Sequence, residues 1–207
     1  MAVKKSEALT VSVALSILFL IVYGGCNWIT AHRVNVGSLY FEWEHAIPFI
    51  PFFILPYMSI DLFFVTAPFL CRSDREMSIF TKRIATAIIV AGICFLLFPL
   101  RFAFPQPHAD GWLGAIFDWF RGVDAPYNLL PSLHAALMLI LLEVYLSHTR
   151  GRVRVAIAIW FFLIALSPIL TYQHHSIDIA GGFVLATLCF VIFRGPDLSS
   201  PPASSGS

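Results

Sequence analysis

PSLHAALMLILLEVYLSHTRGRVR, residues 131–154, decides the fold. From Leu133 to Leu146 only His134 and Glu143 interrupt an apolar run, and Arg150, Arg152 and Arg154 close it. The run is long and shows no alternation of period two, so it reads as a helix rather than a strand. A helix also satisfies its own backbone groups, which is the requirement for a segment surrounded by lipid.

Outside this stretch the chain has the same character. Of 207 residues, 58% are hydrophobic and 12% charged, against about 25% charged in soluble domains. Apolar blocks fall at 8–29, 48–70, 84–100, 131–148, 153–172 and 176–194. Each is long enough, or nearly so, for a helix crossing about 30 Å of hydrocarbon. The expected fold is therefore all-α and polytopic: six transmembrane helices forming one membrane domain over 1–194, followed by a disordered Pro/Ser-rich tail over 195–207. Lys4 and Lys5 precede the first block as in a signal peptide. That block has the length of a full crossing, so it reads as a retained span. The stretch GWLGAIFDWFRG, 111–122, sets Trp112, Ile116, Trp119 and Phe120 near one face of a short helix, expected to lie in the interface between the third and fourth spans.

Charge orients the spans. Lys4, Lys5, Arg72, Arg75, Lys82, Arg83, Arg150, Arg152, Arg154 and Arg194 fall on alternate connections, leaving Arg33, Arg101 and Arg121 for the other side. By the positive-inside rule both termini face the cytoplasm. The net charge of +1 and the lack of a basic run interleaved with aromatics give no sign of a nucleic-acid partner. Cys26, Cys71, Cys94 and Cys189 are scattered without metal-ligand spacing and read as small apolar fillers.

This topology puts His134, at the start of the fourth span, on the same extracytoplasmic side as the loop LTYQHHSID that joins the fifth span to the sixth. His134, His174, His175 and Asp178 then lie near one depth. Asp178 is four residues after His174 and shares its helix face, so the carboxylate can accept a hydrogen bond from one ring nitrogen and leave the other nitrogen's lone pair free. His175, three residues before Asp178, competes for that place. Pro131 suits the first turn of a helix, whose N–H groups near Ser132 and Leu133 could hold an anion. The Ser132 hydroxyl and the Arg101 guanidinium, after the third span, could add donors. Asp124 is a candidate for a supporting role. Asn128 reads as a helix cap or a head-group ligand, with capping favoured. Asp61, inside the second span, is either a functional group or a neutral acid bonded to Tyr57 or to another helix. Glu143 is too deep for the same chemistry and reads as a helix-pairing or snorkelling group. His32, His45 and His108 read as interfacial polar groups.

PSLH at 131–134 and Ser167 with His174 and Asp178, spaced S-x6-H-x3-D, resemble the second and third motifs of the type-2 phosphatidic acid phosphatase superfamily. That family also includes sphingolipid head-group transferases. Its pattern is K-x6-R-P, then P-S-x-H, then S-R-x5-H-x3-D, and the resemblance covers the whole membrane domain. The departures are Cys94 for the lysine, Phe102 for the proline and Pro168 for the arginine. The resemblance implies His174 as nucleophile through a phosphohistidine, Asp178 orienting it, and His134 as general acid and then base. It implies Arg101, Ser132 and Leu133 as phosphate ligands, no metal and no cofactor, and a membrane-lipid substrate. It also favours His174 over His175. Metal-independent lipid phosphatase activity is the first expectation. Head-group transfer, as in inositol phosphorylceramide and sphingomyelin synthases, is the alternative, because fewer cations suit a diester. A transporter or metal-binding membrane protein is the reading from another class.

Overall fold

The computed structural model describes residues 3–194; the expected tail, 195–207, lies outside the described residues. Seven longer helices follow in order, α1 Lys5–Ala31, α2 Pro51–Leu70, α3 Asp74–Leu97, α4 Gly111–Val123, α5 Leu133–His148, α6 Gly151–Leu170 and α7 Ser176–Ile192, with a short 3-10 helix at Glu42–Ala46 between the first two. No strand occurs among the described residues; a lone bridge joins Gly37 to Leu100. α1, α2, α3 and α6 are long and apolar enough to cross a membrane, and α5 and α7 are shorter apolar helices. The chain is an integral membrane protein.

The third block was expected to begin at 84, but α3 begins ten residues earlier. Ser73 caps it by accepting from the Glu76 N–H at 3.2 Å, and Asp74 and Glu76 complement the positive end of the first turn. The charges that hid this start are accommodated: Arg83 is buried, pairs with Glu143 of α5 and donates to the Phe193 carbonyl at 3.0 Å. Glu143 is thus a helix-pairing group.

α5 is the hub, packed against α3, α6 and α7, while α1 packs on α3 and α2 on α6. Its residues Ala136, Ile140 and Leu141 are fully buried. Between helices in lipid the apolar effect gives little net drive, so small residues that permit close approach decide the contact. A Cβ added at Gly182 of α7 would come within 2.3 Å of the Ser132 carbonyl oxygen. This approach brings the starts of α5 and α7 together.

Two local features shape the same end of the bundle. The ladder of α1 opens into one π-helical turn over Leu20–Gly24, which shifts the register just before Asn27. α4 buries Phe117 against Ile54 and Tyr57 and leaves Trp112 and Trp119 exposed. Of the four residues expected on one interfacial face, Ile116 and Phe120 pack on this cluster and the two tryptophans stay exposed.

Candidate active site at the paired helix starts

α5 begins at Leu133 behind Ser132, whose hydroxyl oxygen accepts from the Ala135 N–H at 3.2 Å. The Ser132 N–H donates to the Asp178 carbonyl at 2.9 Å. Ser132 is fully buried, so its N–H and its oxygen serve the junction of the two helices. Pro131 lies before the cap and not in the first turn. Leu133 lines the adjacent cavity and Ser132 does not. Asn128 does not cap this helix. It is buried, its backbone is in the left-handed region at φ 58°, and its side-chain amide donates to the Tyr23 carbonyl at 2.8 Å.

His134 follows at the second helical position. Its ring stacks on Tyr57 of α2, with centroids 4.4 Å apart and planes 8° from parallel. Tyr57 in turn meets the edge of Phe120 of α4 at 5.4 Å. The His134 Nε2 is buried and has no hydrogen-bond partner.

The end of α6 sets His174. The Pro168 carbonyl accepts from the N–H groups of both Gln173 and His174, at 2.9 and 3.1 Å. Tyr172 turns through the left-handed region at φ 57°, and its hydroxyl donates to the Ile47 carbonyl at 2.7 Å. His174 is buried, with Nδ1 3.7 Å from Asp178 Oδ2. That separation is ion-pair contact, beyond a hydrogen bond. Asp178 is fully buried, and Oδ2 accepts from the His175 N–H at 2.9 Å. Ser167, the other motif residue, spends its hydroxyl on the Ile164 carbonyl within α6.

His175 turns away from this group. Its Nε2 accepts from the Ala103 N–H at 3.1 Å, and its Nδ1 lies 2.5 Å from Glu44 Oε2. With Nε2 accepting, the ring proton sits on Nδ1 and is donated to Glu44. Glu44 also accepts from the Ser176 N–H at 3.1 Å and from the Ser176 hydroxyl. Burial alone would raise the Glu44 carboxyl, but hydrogen bonds from Ser176 and His175 outweigh it and hold the group below the ordinary carboxylate range. Phe102 stacks on His175 at 4.3 Å. His175 therefore has both ring nitrogens engaged, whereas His174 makes no hydrogen bond through Nδ1. Nothing local in FEWEHA marks Glu44 as the partner of a residue so far along the chain.

His134 and His174 line a cavity of about 490 Å³, together with Tyr23, Asn27, Asp61 and Asp124. Asp124 Oδ2 accepts from the Tyr23 hydroxyl at 3.1 Å, and Oδ1 accepts from the Asn27 amide at 3.0 Å. Burial raises the Asp124 carboxyl above its usual value, opposed by these two bonds and by His174. Sequence reading missed Tyr23 and Asn27, because their partner lies about a hundred residues away. Asp61 is exposed along the cavity and makes no hydrogen bond or ion pair with a described residue, so the alternative reading of a neutral acid bonded to Tyr57 or to another helix is not what forms.

No lysine or arginine lines the cavity among the described residues. Arg101 is exposed and outside it, and its backbone N–H is bound to the Gly37 carbonyl at 2.8 Å. The Arg101 side chain thus does not line this cavity, although the adjacent Phe102 and Ala103 contact His175. Among the described residues no group of three His, Cys, Asp or Glu side chains is placed to hold a metal ion.

Neither curated proteins nor solved structures contain a significant match to the chain. The family model of the PAP2 superfamily, whose members are phosphatases and phosphotransferases of phosphate esters, does match, and over residues 38–192. That span holds both the PSLH segment at the start of α5 and the histidine–aspartate segment at the start of α7, and with well over half of its residues matched the chain belongs to the PAP2 superfamily.

Proposed function

We propose that this protein transfers the head-group phosphate of a membrane phosphodiester lipid to a second alcohol through a covalent intermediate on His174. The observation that carries the proposal is the convergence of His134 and His174 on one cavity, with Asp178 beneath His174. The lack of lysine and arginine in the lining among the described residues favours a diester, with one negative charge, over a monoester with about two.

In the first half-reaction His174 Nε2 attacks phosphorus and the bond to the leaving alkoxide breaks. Asp178 stabilises the charge that grows on the ring, and His134 gives the alkoxide a proton. In the second half-reaction His134 takes the proton of the incoming alcohol, whose oxygen displaces His174 from phosphorus. Water completing the same second step would make the protein a lipid phosphatase. The apolar walls contributed by Phe19, Leu20 and Val123 favour a lipid alcohol as acceptor.

The arrangement proposed in the membrane is six crossings. α5 and α7, of 16 and 17 residues, are about 24–26 Å long, slightly short of the hydrocarbon core. The ends of α1, α3 and α6 and the starts of α2, α5 and α7 then gather on one side, with α4 in its interface. The basic residues after α2 and α5 support an extracytoplasmic position for that side by the positive-inside rule.

The test is reconstitution in vesicles with a phospholipid donor and diacylglycerol or ceramide as acceptor. New phospholipid should form, orthovanadate should compete with the donor, and His174→Ala should slow transfer about a thousandfold or more. Unchanged turnover by that variant overturns the mechanism, and indifference to vanadate favours a transporter or metal-binding protein.

A further inference from the structure

α2 buries one face, on which Ile54, Tyr57 and Ile60 follow one another at intervals of one helical turn. Tyr57 is the member of that face that reaches a histidine. It sits in one buried cluster with Ile54, Ala109 and Phe117, and Phe120 meets its edge at 5.4 Å. Its ring is thus held in place by α4.

His134 is held differently. Its Nε2 is buried without a hydrogen-bond partner. The Ile164 carbonyl of α6 lies near the ring, but that oxygen also accepts the Ser167 hydroxyl at 2.7 Å. A single contact of that kind leaves the plane of an imidazole free to tilt. The stack on Tyr57 removes this freedom, with centroids 4.4 Å apart and planes 8° from parallel.

The role given to His134 needs a fixed plane. A proton moves along a nitrogen lone pair, which lies in the ring, so a tilted ring misdirects the transfer. The ring also changes charge during turnover. It is cationic before it gives a proton to the leaving alkoxide, neutral afterwards, and cationic again once it has taken the acceptor's O–H proton. An aromatic face attracts the cationic form, more strongly where water is scarce. The Tyr57 hydroxyl makes no hydrogen bond with a described residue, so the face rather than the oxygen is what Tyr57 brings to His134.

We infer that Tyr57 is a positioning residue for His134: its ring fixes the plane in which the imidazole gives and takes the proton, and supports the imidazolium. The inference deepens the phosphotransfer reading and rests on it. Neither of the two motifs contains Tyr57, and it reaches His134 only through the packing of α2 on the bundle.

The experiment separates proton transfer from packing by the leaving group. An alkoxide needs a proton to depart, whereas 4-nitrophenolate leaves without one. The whole protein, in excess over donor, is given either a total phospholipid extract, scored by diacylglycerol release, or dodecyl 4-nitrophenyl phosphate, scored by nitrophenolate release. Each variant is assayed below its own Tm. Tyr57→Leu should slow diacylglycerol release about tenfold or more and nitrophenolate release by less than about threefold, as His134→Ala should do more strongly. Tyr57→Phe, which keeps the stack, should match the parent on both. Tyr57→Met takes the place of the leucine variant if that one does not fold. Phe117→Leu, from the same cluster but without contact with His134, should affect both donors alike or neither. Equal losses on both donors in the Tyr57 variant, or no rescue by phenylalanine, overturns the inference. A second measurement needs no turnover. The stack should shift the His134 ring protons upfield in the NMR spectrum of histidine-labelled protein, Tyr57→Leu should move them back, and Tyr57→Phe should not; resonances unmoved by Tyr57→Leu also overturn it. Full activity of His174→Ala would sink the phosphotransfer reading alone, and the resonances would still decide whether Tyr57 holds the ring.

Discussion

The Ala103 N–H donates to His175 Nε2 at 3.1 Å, and this bond separates two adjacent histidines that carry the same chemistry in the sequence. A ring nitrogen that accepts from the backbone has no lone pair left to attack phosphorus. With Glu44 on the other nitrogen, His175 fastens the loops before α2 and after α3 to the start of α7.

The two histidines should therefore fail differently when removed. His174→Ala should reduce kcat about a thousandfold or more with little change in Tm. His175→Ala should cost about 1–3 kcal/mol of stability, because it removes one of the hydrogen bonds to the buried Glu44 carboxylate and takes the partner of the Ala103 N–H. Paired thermal denaturation and transfer assays on both variants check this, and comparable kinetic losses at unchanged Tm would contradict it.

Glu44 gives the fold an acid sensitivity. Its carboxyl is held below the ordinary range, through hydrogen bonds from Ser176 and His175 that overcome the effect of burial. A carboxyl depressed in the folded state contributes stability above its unfolded pKa and loses it as pH falls through the folded one. Glu44→Gln should thus be destabilising near pH 7, by about 2 kcal/mol, with the deficit shrinking below about pH 4. Urea titrations of both proteins across that range measure the difference.

Gly182 allows α7 to lie against the Ser132 carbonyl, where a Cβ would come within 2.3 Å. Gly182→Ala should push the two helix starts apart, costing about 1–3 kcal/mol. It should also reduce transfer more than the stability loss explains, since the His134–His174 spacing changes. Activity measured well below the variant's Tm separates the two effects.

Arg101→Ala is expected to leave transfer within about twofold of the parent, because the side chain is exposed and outside the cavity. Surface changes of this kind shift stability by less than about 0.5 kcal/mol. A loss of tenfold or more would show that Arg101 reaches the phosphate during turnover.

The all-helical membrane class was legible because hydrophobic run length is a local property and lipid forces each run to satisfy its own backbone. The boundaries of α5, α6 and α7 fell within two residues of the apolar blocks. The start of α3 did not, since Ser73 begins that helix among charges that composition assigns to a loop. His134, His174 and Asp178 were readable from spacing and motif. Glu44, Tyr57, Tyr23 and Asn27 were not, because each meets its partner across a distance in sequence that no local pattern encodes.

The chain's composition determined that it is a bundle of helices in a membrane, and its motifs singled out the histidines proposed for phosphoryl chemistry. Tertiary structure alone decided which of His174 and His175 keeps a free nitrogen, that Arg101 stays outside the cavity lining, and that Asp61 and Asp124 line it with no lysine or arginine among the described residues. The physical reason is one of range. Hydrophobic run length and i,i+4 spacing act along the chain. The occupancy of a lone pair, or the sign of the charge within a cavity, is a sum over side chains that only packing brings together.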